Sequence, residues 1–289
     1  MSLNRRRFLA LSAAAVPVSW WTAKYQPLLA APAARWFKIG ACEWSLGKSD
    51  PSCFQLAKEI GLDGVQVNMG SQRNDMQLRK PAVQKAYLAA AQAVKLEISS
   101  LAIAETNAVP LKRDPRAAQW LADSIDVARA LSLKIIMPAC FGPGDLQMTN
   151  TEEIDHFVQV FRDVAPRAEK AGMILGIESY LSADDNQRLL ERIGSPAVKV
   201  YYDVGNSTDK GRDVCREIRQ LGSQICEFHA KDAGFMLGQG RIDFKKVRKA
   251  IDAIGYSGWF QLEAAHPHGL VADYTADYKY LRSVFPERK

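Results

Sequence analysis

The sequence predicts an α/β protein folded as a single (β/α)8 TIM barrel. Eight apolar runs of strand length alternate with eight amphipathic stretches of helix length. Several helical stretches end at a glycine that precedes the next apolar run by one to five residues. Eight continuous strand and helix units match this barrel in number and length, whereas a doubly wound sheet would need a switch point that the sequence does not show.

The predicted strands are short runs of branched and aromatic apolar residues, the pattern of parallel strands buried on both faces. We expect strands at Phe37–Cys42, Gly64–Asn68, Glu97–Ala102, Lys134–Ala139, Met173–Ile177, Val198–Tyr202, Ile225–Phe228 and Trp259–Leu262. No Gly/Ser-rich linker, charged block or low-complexity run separates them. Residues 34–289 are therefore predicted to form one domain.

Helices are predicted after each strand, near residues 51–60, 79–95, 115–131, 151–171, 185–193, 209–221, 243–254 and 272–284. Asp50-Pro51 and Asp114-Pro115 place a capping acid before a proline at the first helical position. Glycines that can take the left-handed conformation are expected to end five of these helices: Gly61, Gly172, Gly194, Gly222 and Gly255.

Residues 1–33 have the pattern of an export signal. Arg5, Arg6 and Arg7 precede an apolar stretch over Leu9–Trp21, and the small-residue segment that ends at Ala33 offers a cleavage site. The segment resembles a twin-arginine signal, which predicts export to the periplasm with the twin-arginine translocase as a transient partner. Retention as an N-terminal anchor is the alternative, although the apolar stretch is short for a membrane span.

The charge of the chain lies largely in this leader. Loss of residues 1–33 would remove four of the 38 basic residues and none of the 32 acidic ones, leaving 34 against 32. A near-neutral mature chain lacks the basic surface that nucleic acids or anionic membranes attract, so a small-molecule substrate is expected. The five scattered cysteines fit neither a disulfide framework nor a zinc-knuckle spacing, and Cys140 and Cys226 are predicted to be buried thiols.

Four polar residues end the last four predicted strands: Glu178, Asp203, His229 and Glu263. In a barrel of this type the strand ends face one rim, where chemistry takes place. Three carboxylates and one imidazole suit a divalent cation with open coordination positions. The same residues could instead cap loops, pair with lysine or, for His229, fill the core.

The flanking motifs resemble the sugar phosphate isomerase/epimerase group of the xylose-isomerase-like barrel superfamily. The resemblance rests on LGIE at Glu178, YYDVGN at Asp203, FHAKD at His229, LGQGRIDF from Leu237 to Phe244, and GWFQLE at Glu263. It implies that these four residues bind one divalent metal ion, which could be Mn, Mg, Co or Zn. It also implies that Glu178 and Glu263 move protons on opposite sides of a substrate carbon through a metal-stabilised enediolate.

Further residues are candidates for substrate contact. Asn206 stands where ketose epimerases often carry histidine, which puts the substrate in doubt. Lys231 could contact substrate or pair with Asp232, and Trp44 could stack on a sugar or lie in the core or at the barrel bottom. Glu43 and Glu105 end strands one and three, where they could bind hydroxyls or be loop residues. His266 and His268 could supply extra ligands, and His266 could contact substrate, but an exposed loop is the preferred interpretation of their HPHG segment.

The leading function is therefore a metal-dependent isomerase or epimerase acting on a sugar or keto-polyol, with homo-oligomerisation an open possibility. A metal-dependent dehydratase or lyase, similar to inosose dehydratase, would use the same site and differ in the fate of one intermediate. An endonuclease IV-like trinuclear zinc site is disfavoured because the chain has only four histidines. A metal-free sugar-binding module is the remaining alternative.

Overall fold

A computed structural model describes residues 36–286 of the chain as a closed barrel of eight parallel strands in sequential order, β1 to β8. The predicted fold is confirmed. The strands are β1 Phe37–Cys42, β2 Gly64–Asn68, β3 Glu97–Ile103, β4 Ile135–Cys140, β5 Ile174–Ser179, β6 Val198–Asp203, β7 Ile225–Ala230 and β8 Gly258–Leu262. The predicted signal segment and its arginines lie outside the described residues.

Helices surround the barrel, and at least one follows each strand. They are α1 Cys53–Ile60, α2 Pro81–Val94, α3 Pro115–Ala130, α4 Thr151–Ala171, α5 Ala183–Ile193, α6 Val204–Asp209, α7 Val214–Leu221, α8 Phe244–Ala253 and α9 Leu270–Val284. Within residues 36–286 no helix is long and apolar enough to cross a membrane.

Most helix ends follow the predicted signals. Asp114 caps α3, because its side chain accepts a hydrogen bond from the Arg116 amide. All five predicted helix-ending glycines have positive φ, for example 96° at Gly61 and 63° at Gly172. These conformations cost little only for glycine, which explains why the helices end there.

Two helix predictions were wrong. Asp50 does not cap α1, which begins three residues later at Cys53; its carboxylate accepts the Ser52 amide in a preceding turn. The helix predicted over residues 209–221 is two helices, α6 and α7. Asp203 starts α6 directly at the end of β6 by accepting the backbone amides of Gly205 and Asn206, and Asp213 caps α7 separately.

The main core lies between the strands and the helices, and the barrel interior differs from it. A small apolar cluster of Ala102, Met137, Ala139 and Tyr201 lies apart from the main core. Buried polar side chains on β2, β3, β7 and β8 form hydrogen bonds to one another across the barrel: Gln66, Ser100, Glu227 and Gln261. Cys140 is buried as predicted, whereas Cys226 is only half-buried.

Candidate metal centre

The barrel brings the four predicted ligand residues together at the carboxyl ends of consecutive strands. Asp203 pairs with His229 in the register of β6 and β7, and the amide of Glu263 donates to the Ala230 carbonyl at the end of β7. One ligand-type atom from each of Glu178, Asp203, His229 and Glu263 lies within 4.8 Å of the other three. The last four strands therefore present one compact set of nitrogen and oxygen donors.

His229 is oriented by contacts on both ring nitrogens. Its Nδ1 lies 2.8 Å from Glu178 Oε1 and 3.8 Å from Glu263 Oε2, so this nitrogen faces the carboxylates. Its Nε2 lies 2.8 Å from Gln66 Oε1 on the other side of the ring. The ring is fully buried and contacts Tyr201 edge to face. This histidine is thus fixed with Nδ1 directed at the candidate centre.

The two carboxylate oxygens of Asp203 have different surroundings: one accepts backbone amides of α6, and the other faces the candidate centre. Oδ1 accepts the Gly205 and Asn206 amides at 2.7 and 3.0 Å, which starts helix α6. Oδ2 is buried and accepts no hydrogen bond from any residue within 36–286, and the Lys231 ammonium lies 3.2 Å from it. A buried carboxylate oxygen without a hydrogen-bond donor, beside an imidazole and two glutamates, fits a cation ligand.

Lys231 and Trp44 hold Glu263 from two sides. Lys231 Nζ donates to Glu263 Oε2 at 3.0 Å, and Trp44 Nε1 donates to Glu263 Oε1 at 2.9 Å. Lys231 does not pair with Asp232, one of the two roles expected for it. Trp44 lies at the mouth next to the ring of His229, and not at the barrel bottom. Both residues therefore adjoin the candidate centre.

The two glutamates experience opposite electrostatic environments. Burial raises the pKa of Glu178, although His229 beside it acts in the other direction. Burial would also raise the pKa of Glu263, but His229, Lys231 and the Trp44 donor outweigh it and lower that pKa. The cluster thus combines one carboxyl that is hard to ionise with one that ionises readily.

The other charged groups of the cluster depend on one another. Burial raises the pKa of Asp203 despite the opposing effect of Lys231. For Lys231 and His229, burial alone would lower each pKa, yet the neighbouring groups raise both: Asp203 and Glu263 for the lysine, Cys42 and Glu178 for the histidine. The carboxylates of the cluster therefore stabilise positive charge next to them, and a metal site requires the same property.

The remaining candidates lie around the cluster or away from it. Asn206 is buried next to Asp203 and is tied to it through its backbone amide. Glu105 lies beyond β3 in a short 3-10 segment, where its carboxylate accepts a hydrogen bond from Gln72. His266 and His268 are exposed on the loop after β8, and His268 lies near Asp273. Neither histidine belongs to the four-residue cluster.

Glu43 and Asp232 have structural roles that the sequence left open. Glu43 is buried outside the barrel interior and accepts a hydrogen bond from the Tyr87 hydroxyl of α2. Asp232 organises the loop after β7 by accepting the Arg241 amide at 2.9 Å. A Cβ atom at Gly240 would lie 2.5 Å from the Asp232 carboxyl carbon, so this glycine of the GQG segment is required by packing.

Sequence reasoning missed the polar residues beneath the cluster. Gln66 contacts His229 directly, and Tyr201 and Glu227 continue the hydrogen-bond network into the barrel. A signal was available: Gln66 lies between two valines in β2, and Glu227 lies between Cys226 and Phe228 in β7. A polar residue in such a strand must find a buried partner, so two of them indicate an internal network.

The fold and the cluster together define a (β/α)8 barrel protein with a candidate metal centre at the carboxyl ends of its last four strands. The chain belongs to the xylose isomerase-like TIM barrel family, whose profile matches residues 54–284.

Two curated relatives are epimerases. The 2-epi-5-epi-valiolone 7-phosphate 2-epimerase of an Actinoplanes species is 25% identical over 199 residues, covering 68% of this chain and 72% of the relative. A putative L-ribulose-5-phosphate 3-epimerase of Escherichia coli is 26% identical over 254 residues, covering 78% of this chain and 88% of the relative.

The fold is also shared with solved structures. That of D-psicose 3-epimerase from Clostridium cellulolyticum with D-tagatose has a TM-score of 0.73 at 17% identity. The match covers 86% of this chain and 99% of that one. At this identity the likeness concerns the barrel alone.

Proposed function

We propose that this protein is a divalent-metal-dependent epimerase or isomerase of keto-sugars or related keto-polyols. The observation that carries the proposal is the cluster of Glu178, Asp203, His229 and Glu263, whose ligand atoms lie within 4.8 Å of one another at the carboxyl end of the barrel. The two curated relatives described above are named as epimerases of a cyclitol phosphate and a ketose phosphate, which supports the reaction class.

The four clustered residues would hold the cation through Asp203 Oδ2, His229 Nδ1 and one oxygen of each glutamate. A cation bound there would supply Lewis acidity to the substrate's carbonyl oxygen and so make the adjacent C–H bond more acidic. Because the donor set is rich in oxygen, Mn, Mg, Co and Zn all remain candidates.

The protein's own acid and base are the two glutamates. One carboxylate takes the proton from the carbon next to the carbonyl; the C–H electron pair becomes the second bond between the two carbons, and the π pair of the carbonyl moves onto its oxygen, a shift that reprotonation reverses. The other glutamate, as the acid, returns a proton to the opposite face of that carbon. Glu178 and Glu263 exchange these roles when the reaction runs in the other direction, and solvent restores their protonation states.

Three neighbouring residues would bind and orient the substrate. Lys231 has an ammonium directed between Asp203 and Glu263 and can donate to a substrate oxygen in the same place. Trp44 is half-exposed at the mouth and offers its ring to a C–H-rich sugar face. Asn206 can donate to a hydroxyl, but it lacks the charge that a histidine could carry there. Glu105 and His266 would contact only the outer part of a larger substrate.

Reaction of a panel of keto-sugars in deuterated water, followed by ¹H NMR, tests the proposal. Epimerisation or isomerisation exchanges one carbon-bound proton for deuterium without loss of water from the sugar. Glu178→Gln and Glu263→Gln should each reduce the rate by at least about a hundredfold, the usual scale of a lost acid or base. As a matched control, Glu191→Gln changes an exposed carboxylate on α5 and should retain the wild-type rate.

Three results would contradict the proposal in different ways. Deuterium incorporation with loss of water would establish a dehydratase, which uses the same residues. Sugar binding without any bound metal and without turnover would establish a binding module. Full activity in both glutamine variants would place the chemistry elsewhere in the molecule.

We also propose that the chain is exported by the twin-arginine route and cleaved near Ala33. The supporting observation is the arginine pair Arg5-Arg6 before the apolar stretch. Cell fractionation should find the wild-type protein in the periplasm, with a new N-terminus near Ala34, and the double variant Arg5→Lys, Arg6→Lys in the cytoplasm at full length. Equal export of both proteins would contradict a twin-arginine signal.

A further inference from the structure

A chain of buried hydrogen bonds leads from the candidate metal centre into the barrel. It begins at His229 Nε2, which lies 2.8 Å from Gln66 Oε1. The Gln66 amide nitrogen then donates to Ser100 Oγ at 3.1 Å and to the Tyr201 hydroxyl at 3.0 Å. These hydroxyls in turn donate to Glu227 Oε1 at 2.9 and 3.0 Å. All five side chains are at most 1% exposed.

The series of hydrogen bonds has a fixed direction because Glu227 Oε1, at its inner end, only accepts hydrogen bonds. Glu227 Oε1 receives three hydrogen bonds, from Ser100, Tyr201 and the Gln261 amide nitrogen. The two hydroxyl hydrogens are therefore committed to Glu227, and the hydroxyl oxygens can only accept from the other side. The Gln66 NH₂ group must face those oxygens, which leaves its carbonyl oxygen facing His229.

The direction of these hydrogen bonds determines which ring nitrogen of His229 carries no proton. Gln66 Oε1 has no hydrogen to give, so the hydrogen of this contact must lie on His229 Nε2. Cys42 Sγ lies 3.2 Å from the same oxygen and 3.3 Å from His229 Nε2; its S–H donates to the oxygen, which has no hydrogen of its own to give. An imidazole that binds a cation is neutral, and one whose remaining proton is on Nε2 binds through the lone pair of Nδ1, the nitrogen that faces Glu178 and Glu263.

We propose that Gln66, held by Glu227 through Ser100 and Tyr201, is a positioning residue that keeps His229 in the tautomer whose Nδ1 binds the cation. A ligating histidine commonly donates its second N–H to an acceptor, and loss of that acceptor typically costs 10–100-fold in metal affinity. In this protein the acceptor is a neutral amide, and a buried carboxylate two hydrogen bonds away sets its orientation. The inference rests on the proposed metal centre, but it does not depend on the proposed reaction.

The test uses Zn²⁺ as a diamagnetic probe ion, full-length protein and ¹⁵N-labelled histidine. The protein has four histidines, so the imidazole spectrum is simple. The variant His229→Gln identifies the His229 signals. In wild-type protein loaded with Zn²⁺, we expect His229 to carry its proton on Nε2 and to bind Zn²⁺ through Nδ1. A Zn²⁺-bound His229 protonated on Nδ1 would overturn the inference without any variant at Gln66.

Zn²⁺ affinity, measured by competition with a chelator, supplies the second readout. Gln66→Leu removes the acceptor and should weaken binding 10–100-fold. Gln66→Glu keeps an acceptor oxygen and should recover most of the affinity. Ser99→Ala is the matched control, because Ser99 is the buried neighbour of Ser100 on β3 and its hydroxyl has no hydrogen-bond partner in the part of the chain that the structure describes. This control should bind Zn²⁺ like the wild type.

The outcomes separate this inference from the proposed function. Equal Zn²⁺ affinity in folded Gln66→Leu and Ser99→Ala would overturn it. If Gln66→Leu does not fold, the wild-type tautomer and the Gln66→Glu affinity decide in its place. Normal Zn²⁺ binding through His229 Nδ1 without turnover of any sugar would instead overturn the epimerase and leave the role of Gln66 intact. His229 signals that do not change with Zn²⁺ would overturn the metal centre itself.

Discussion

Glu263 receives hydrogen bonds on both carboxylate oxygens, from Trp44 on one side and Lys231 on the other. Two charge-assisted donors fix the plane of the carboxylate and stabilise its ionised form. A base that must meet one carbon of a bound sugar gains from such fixation, since a small displacement of a reacting group costs much of the rate. Trp44 would thus help to orient Glu263 as well as contact the substrate.

Trp44→Phe keeps an aromatic ring at the mouth but removes the donor to Glu263. We expect kcat/KM of the proposed epimerase to fall by roughly 10- to 150-fold, since a hydrogen bond to a charged group contributes about 1.5–3 kcal/mol. Thermal unfolding should change little because Trp44 is half-exposed. Trp36→Phe is the control, an exposed tryptophan before the first residue of β1. Equal kinetics in the two variants would rule out the orienting role.

Glu43 shows how burial alone can create a pH dependence. It is 2% exposed, and burial raises its pKa to about 8, against 4.5 for a free side chain, although Tyr87 donates to it. The folded state therefore prefers the protonated acid. The stabilisation of the folded state by protonated Glu43 is fully present below pH 4.5. It is lost as the pH rises to about 8, because in that window Glu43 ionises freely only in the unfolded protein.

Glu43→Gln should remove this slope. The variant should gain stability relative to wild type as the pH rises: the difference between their free energies of unfolding should increase by up to about 4 kcal/mol from pH 5 to pH 9, since one pKa unit corresponds to about 1.4 kcal/mol. Urea unfolding at pH 5, 7 and 9 measures it. Glu59→Gln, at an exposed position on α1, should give a curve parallel to wild type. A Glu43→Gln curve parallel to wild type would show that Glu43 is ionised in the folded protein.

Among single residues, those at strand ends could be predicted and those inside the barrel could not. Glu178, Asp203 and His229 follow apolar runs, and a barrel brings all such ends to one rim. Gln66, a polar residue between two valines, indicated only that some buried partner must exist; that this partner is His229, 163 residues away, follows from the fold alone. Lys231 was ambiguous for the same reason: its neighbours in sequence and its neighbours in space are different residues.

At the scale of elements, the two Asp-Pro pairs show what a local pattern can and cannot determine. Asp114 caps α3 as predicted, with Pro115 as the first helical residue. Asp50-Pro51 has the same pattern, but there the chain makes a turn and α1 starts at Cys53. Propensity allowed both outcomes, and at Asp50 the carboxylate accepts the Ser52 amide in a turn that precedes the helix.

This difference predicts unequal costs for two similar substitutions. Asp114→Ala should lower the free energy of unfolding by about 1 kcal/mol, the usual cost of a lost N-cap. Its ion pair with Arg116 is exposed and adds little. Asp50→Ala, which removes a turn contact and no cap, should cost less than about 0.5 kcal/mol. Urea unfolding of both variants provides the measurement, and equal costs would show that α3 does not depend on its cap.

The prediction of one helix over residues 209–221 failed because of the two roles of Asp203, and the structure has α6 and α7 instead. Asp203 ends β6, starts α6 with one oxygen and faces the cluster with the other. The chain therefore has no room for a loop between β6 and the next helix, and a short helix forms at once. A pattern of apolar periodicity cannot reveal this, because the constraint comes from a side chain with two tasks.

At the scale of the whole molecule, the barrel separates the main apolar core from the candidate metal centre. The main core lies between strands and helices, whereas the candidate ligands lie at one rim over a polar interior. The count of eight units could be predicted because each unit repeats the same local signals. Closure of the barrel, which sets every distance in the cluster, follows only from all eight strands together.

A bound cation should therefore stabilise the whole barrel through its rim. Binding to the folded state alone contributes about 2.7 kcal/mol when the free ion is at 100 times its Kd. For a domain of this size that corresponds to roughly 5–10 °C in Tm. Adding Mn²⁺ to metal-stripped protein should raise Tm by that amount in a thermal scan, and excess chelator should reverse the rise.

Asp203→Asn is the decisive variant for this shift. Asparagine keeps a side-chain oxygen that can cap α6 as Asp203 Oδ1 does, so the fold should survive, but it removes the charge at the ligand position. We expect its Tm to be insensitive to Mn²⁺, whereas Glu191→Gln on α5 should respond like wild type. If Asp203→Asn and wild type shifted equally, the ion would bind elsewhere on the protein, and the cluster at the ends of β5 to β8 would not be the metal centre.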